Sequence, residues 1–140
     1  MNLEGNWEGY YEYGEGYILP FFGERIKFQV VITSKNNSFT GSSTEEESDL
    51  SVPSGATIKG FREDDMISFV KTYPIHPQID ELTNQIEIQE GKLDIDHIGF
   101  CDDKNQAIYG NWQIEQIFSN EFDQDVVEYV GGIWFLKKVQ

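Results

Sequence analysis

Hydrophobic and polar residues alternate along most of the chain with a period of two, and clusters of Gly, Asn, Asp, Ser and Pro separate the alternating stretches. This is the pattern of successive β-strands with one buried and one solvated face. Residues 5–13 put Trp7, Gly9, Tyr11 and Tyr13 on one face and Glu8, Tyr10 and Glu12 on the other. Residues 25–35 put Ile26, Phe28, Val30 and Ile32 opposite Arg25, Lys27, Gln29 and Thr33, with Val31 as the exception. Asn36 and Asn37 tolerate positive φ and mark a tight turn, after which residues 38–45 pair back through Phe39, Gly41 and Ser43. The acidic run that follows, from Glu45 to Asp49, reads as a loop.

Residues 55–62 and 66–73 flank the turn Glu63-Asp64-Asp65 and form a second hairpin, with Ile58 and Gly60 facing Ile67 and Phe69. A third hairpin is expected to turn at Glu90-Gly91, between arms at 84–89 and 92–100. Residues 106–118 carry Ile108, Gly110, Trp112 and Ile114 on one face, and 127–139 form a last strand centred on Trp134. No long stretch keeps a helical stripe; 77–83 and 119–126 have room for one turn each. Eight to ten consecutive strands joined by short turns predict an all-β fold, an antiparallel up-and-down meander. Closure into a barrel removes the exposed edges, and a β-sandwich is the alternative.

The length of 140 residues suits a single domain over 1–140. Its longest apolar runs, Tyr17 to Phe22 and Gly132 to Leu136, are far below the roughly 20 residues that span a bilayer. Cys101 is the only cysteine, so the chain has no internal disulfide, which suits a reducing, cytoplasmic setting. Ten basic against 25 acidic residues leave a formal charge of −15. That charge disfavours nucleic-acid phosphates and would speed encounter with a basic protein, although solubility alone accounts for it.

Gly5-Asn6-Trp7 recurs as Gly110-Asn111-Trp112, with a looser Gly132-Ile133-Trp134 in the last strand. In a barrel, such a Gly lets a strand coil or a neighbouring side chain lie across it while the Trp plugs one end. Together with the meander, the first-strand Gly-x-Trp resembles the calycin superfamily of lipocalins, fatty-acid-binding proteins and avidins. The resemblance implies a barrel whose interior takes a small ligand, and a basic residue late in the chain packed over the first Trp. Lys137 and Lys138 stand where that residue is expected, in place of an Arg. The Thr-Asp-Tyr segment of lipocalins and the biotin-site sequence of avidins are both missing.

Lys71 and Tyr73 share the strand face of Ile67 and Phe69, which brings an ammonium and a phenol together if that face points inward. Such a pair suits a carboxylate or phosphate, whereas at a solvated strand end the lysine would snorkel to water. Fatty-acid-binding proteins seat a carboxylate on an internal basic residue and a Tyr, although there the base is Arg. Tyr10, Tyr11, Tyr13, Tyr17, Phe21 and Phe22 crowd the first strand and its following loop, as portal lining or as ordinary core. The candidate ligand-binding set is therefore Lys71, Tyr73, Tyr11, Tyr13 and Phe69.

No catalytic or cofactor motif stands out. His76, His97 and Cys101 lack metal-ligand spacing, Asp96 and His97 should face opposite ways, and the acids from Glu121 to Glu128 lack an EF-hand pattern. The expectation is a non-enzymatic binding module for a small, partly apolar and anionic ligand. The alternative is an acidic interaction or inhibitor module for a basic protein.

Overall fold

The computed structural model of the protein describes residues 1–47, 55–79, 83, 85–119 and 125–139, with backbone alone for 76–79, 87–90, 116–119 and 125–128. Eight strands follow one another in chain order: β1 Gly5–Tyr13, β2 Arg25–Lys35, β3 Ser38–Glu45, β4 Ala56–Glu63, β5 Met66–Ile79, β6 Ile86–Asp102, β7 Ala107–Ser119 and β8 Asp125–Val139. Each pairs antiparallel with the next, and β8 pairs back onto β1, closing an up-and-down barrel. Alternation sets the register. Ile26, Phe28, Val30 and Ile32 are buried, whereas Arg25, Lys27, Gln29 and even Val31 face out.

Antiparallel order places the β2–β3, β4–β5 and β6–β7 turns with both termini at one end of the barrel. The other four connections leave from the opposite, loop end. The turns at the terminal end use positive φ at Asn36, Asp64 and Gln106. Arg62 closes this end, pairing with Asp103 at 3.0 Å and donating to the Met1 carbonyl, while the Met1 ammonium lies 3.6 Å from Asp103.

All three tryptophans are buried in the interior. Trp7 donates its indole N–H to the Leu3 carbonyl at 2.8 Å, Trp112 to that of Glu12 and Trp134 to that of Asn111. Lys138, the register partner of Trp7, holds its ammonium 5.9 Å from the Trp7 ring centre and donates to the Asn2 carbonyl. Lys137 faces out opposite Glu8. The glycine of the last Gly-x-Trp makes room for a ring: a Cβ on Gly132 would stand 2.9 Å from Trp112 Cε2 and 1.8 Å from the Glu12 oxygen.

Two expectations are corrected. Glu90-Gly91 is not a hairpin turn, because residues 86–89 and 92–100 belong to the one strand β6, which pairs with β5 on both sides of Gly91. Tyr73 pairs with Leu93 and Ile75 with Glu90, so Gly91 and Lys92 oppose Pro74 alone; the surplus residue makes a bulge, and Gly91 takes φ 114°. The expected helical turns also give way to strand where they are described: β5 runs to Ile79, β7 to Ser119, and β8 begins at Asp125. The remainder of those two stretches, apart from Thr83, and the acids Asp49 and 121–124 lie outside the described residues.

Candidate functional site

The loop end of the interior gathers most of the predicted site. Tyr11 and Tyr13 come from the end of β1, Phe28 from the start of β2, Glu45 from the end of β3, and Lys71 with Tyr73 from the middle of β5. Strand alternation turns all of them inward. Lys71 does not snorkel: it is 2% exposed. Its Nζ lies 4.6 Å from the ring centre of Phe28, 4.8 Å from Tyr11 and 5.0 Å from Tyr73. Among the described residues these faces are its contacts, with no hydrogen bond or ion pair to Nζ.

The three ring faces attract the ammonium, yet they accept none of its three N–H groups. Burial accordingly pulls the Lys71 pKa down to about 8, and the Glu45 carboxylate pushes it back up.

Glu45 is the member of this inward cluster that reading the sequence missed. Read as the end of the strand 38–45 and the start of the acidic loop, with no inward role, it continues the inward series Phe39, Gly41 and Ser43, and its Oε2 accepts the hydroxyls of Tyr11 and of Tyr73, the latter at 3.0 Å. The period-two alternation of β3 carried the signal. Burial raises the Tyr11 and Tyr73 phenol pKa values, and the neighbouring carboxylate raises them further, so both remain donors. In the next inward layer, Ser43 Oγ is buried without a hydrogen-bond partner among the described residues, and its neighbours in the register are Val30 and the small Ala56.

Tyr13 completes the aromatic wall, edge-on to Tyr11 at 5.6 Å, with Trp112 behind both. Tyr17, from the 14–24 connection, covers this wall at 4.7 Å from Tyr13 and 5.9 Å from Trp112. Phe21 of the same connection is buried and Phe22 exposed, while Tyr10 faces outward against Phe135 and Arg25. The portal-lining group therefore divides between wall, cover and outer surface.

Phe69 lies apart from this group, toward the terminal end, stacked on His97 at 4.4 Å and edge-on to Trp134. His97 is buried, its Nδ1–H donating to the Ile95 carbonyl at 3.1 Å. Burial first, and then the Lys71 charge, lower its pKa to about 3, so the ring is neutral. Asp96 faces outward as expected. Among the described residues no cluster of His, Cys, Asp and Glu suits a metal ion.

A shallow groove of about 450 Å³ also lies on the outer wall, between Val31, Thr33, Thr40, Ser42, Thr57 and Lys59. It is open to solvent and does not include the Lys71 group. Compared with protein-family models, with curated proteins and with solved structures, the chain matches none.

Proposed function

We propose that the protein is a non-enzymatic carrier or sensor that takes a small amphipathic ligand into the loop end of its barrel, with the ligand's anionic head on Lys71. The observation that carries this reading is the buried Lys71 ammonium, whose N–H groups meet aromatic faces in place of acceptors. An unpaired buried charge costs several kcal/mol, and a carboxylate arriving at Nζ converts that cost into affinity. Tyr11, Tyr13, Phe28 and Tyr17 supply the apolar surface for the segment next to the head. Kinship with the calycins belongs to the same proposal. It is supported by the closed eight-strand meander, by Gly5 and Trp7 in the first strand, and by Lys138 over that Trp. The free Cys101 suits a cytoplasmic setting, and among the described residues no helix is long and apolar enough to cross a membrane.

Native mass spectrometry of gently purified protein, followed by titration with dodecanoate, tests the reading. A retained small adduct, or dodecanoate affinity that falls tenfold or more in Lys71→Met, supports it. Equal affinity in the two proteins, or no binding to wild type under conditions where its fold is intact, removes it.

A second reading, interaction with a basic protein, has its own observation. Met66, Phe100, Tyr109, Phe135 and Tyr10 stand side by side in register on the outer wall of β5 to β8 and β1, and the first three are about half exposed. Acidic residues stand at both barrel ends, however, at Glu46 and Glu47 and again at Asp64, Asp65 and Asp103, so charge is not focused on one face. Binding that weakens steeply with salt and fails in Phe100→Asp distinguishes this reading from a ligand-filled barrel.

A further inference from the structure

The chain supplies its own carboxylate to the place where the proposed ligand's head belongs. Two phenol hydroxyls and one ammonium are the hydrogen-bond donors that Tyr11, Tyr73 and Lys71 bring to the loop end of the interior. Glu45 Oε2 accepts both phenols. It does not ion-pair with Nζ, which rests among ring faces. A purely structural counter-ion would sit on the ammonium; this one occupies the tyrosines beside it and leaves the ammonium's N–H groups to something else.

We propose that Glu45 is an internal stand-in for the ligand's carboxylate, displaced when ligand binds. The inference rests on the ligand reading above. Two carboxylates cannot share the same pair of phenol donors without like-charge repulsion inside a low-dielectric site, so the two occupants exclude one another. Exchange is favoured on both sides. The ligand's head gains Tyr11, Tyr73 and the Lys71 ammonium together, while Glu45, the last residue of β3 and only half-buried, is followed at once by the exposed Glu46 and Glu47 and has a short path to water. Without ligand, the stand-in keeps the phenols satisfied. It also sets a threshold that favours anionic heads, since a neutral head group is a poorer competitor for donors already held by a carboxylate.

The test is isothermal titration of dodecanoate into wild type, Glu45→Gln, Glu45→Ala and the double variant Glu45→Gln/Lys71→Met, with folding of each checked by circular dichroism. Removing the stand-in's charge is expected to tighten dodecanoate binding about tenfold in Glu45→Gln and at least as much in Glu45→Ala, and the double variant is expected to lose the gain. Unchanged or weaker binding in the Glu45 variants, with wild type still binding, overturns the stand-in and leaves the ligand reading in place. Failure of all four proteins to bind overturns both. Should the Glu45 variants not fold, wild type carrying ¹³C-carboxyl glutamate decides the matter. Saturation with dodecanoate is expected to move the Glu45 resonance to the position of a solvated glutamate, and an unmoved resonance overturns the proposal.

Discussion

Replacing Lys71 by Met keeps an unbranched chain of similar length and removes the charge that the barrel buries, so it isolates what that charge costs the unliganded fold. Burial lowers the lysine pKa from 10.5 to about 8, while the unfolded chain keeps the ordinary value. Between these two values the unfolded state binds more protons than the folded state, so stability rises with pH across the window from 8 to 10.5. Below pH 8 the full penalty applies. A difference of about 2.5 pKa units corresponds to about 3 kcal/mol at pH 7, shrinking to under about 1 kcal/mol at pH 10. Urea unfolding of both proteins at pH 7, 8, 9 and 10 gives the difference directly, because the tyrosines, which also titrate differently on unfolding at high pH, cancel between them. Lys71→Met is expected to be more stable by about 2 to 3 kcal/mol at pH 7, less the cation–π attraction it forfeits, with the gap closing by pH 10. A Met variant that is less stable than wild type at pH 7, or a gap that does not change with pH, would refute the argument. Either would mean that the ammonium is compensated in the folded state.

Other consequences can be measured on the unliganded protein. Tyr73→Phe removes a hydroxyl that donates to Glu45 and should cost about 1 to 2 kcal/mol in urea unfolding, with Tyr11→Phe similar and the double variant less than additive. His97, with its pKa lowered to about 3, should show no ring titration by NMR between pH 5 and 8. The unfolded histidine takes up its proton first on acidification, so stability is lost as pH falls from 6.5 toward 3, by up to about 5 kcal/mol for this residue, and His97→Leu should lose correspondingly less. Gly132→Ala drives a Cβ into the Glu12 carbonyl and the Trp112 ring and should destabilise the β1–β8 closure by roughly 2 kcal/mol or more, read from thermal unfolding.

The sequence made β1, β2 and β3 legible to the residue because each has a buried and a solvated face, and alternation encodes that asymmetry. It made Lys71 and Tyr73 legible for the same reason, since they continue the inward series of Ile67 and Phe69. It misled at Gly91, because a glycine at positive φ serves a bulge as well as a turn and only the pairing register with β5 separates them. Pro74 and Pro77 hid the length of β5 for a related reason: proline within a run argues against strand, but Pro74 is exposed beside the bulge. Glu45 was hidden by its company. Set among Glu46, Glu47 and Asp49 it reads as solvated charge, and its inward place follows only if the alternation of β3 is given more weight than its own polarity.

The central claim is that a ligand's anionic head sits against Lys71 inside the barrel. The most direct measurement is the NMR spectrum of ¹³C-carboxyl dodecanoate mixed with wild type and with Lys71→Met. The account predicts a bound carboxyl resonance in slow exchange with wild type, with nuclear Overhauser contacts from the dodecanoate chain to the Tyr11, Phe28 and Tyr73 rings, and loss of that resonance in the Met variant. A free-ligand spectrum with wild type, or an identical bound resonance in both proteins, would contradict it.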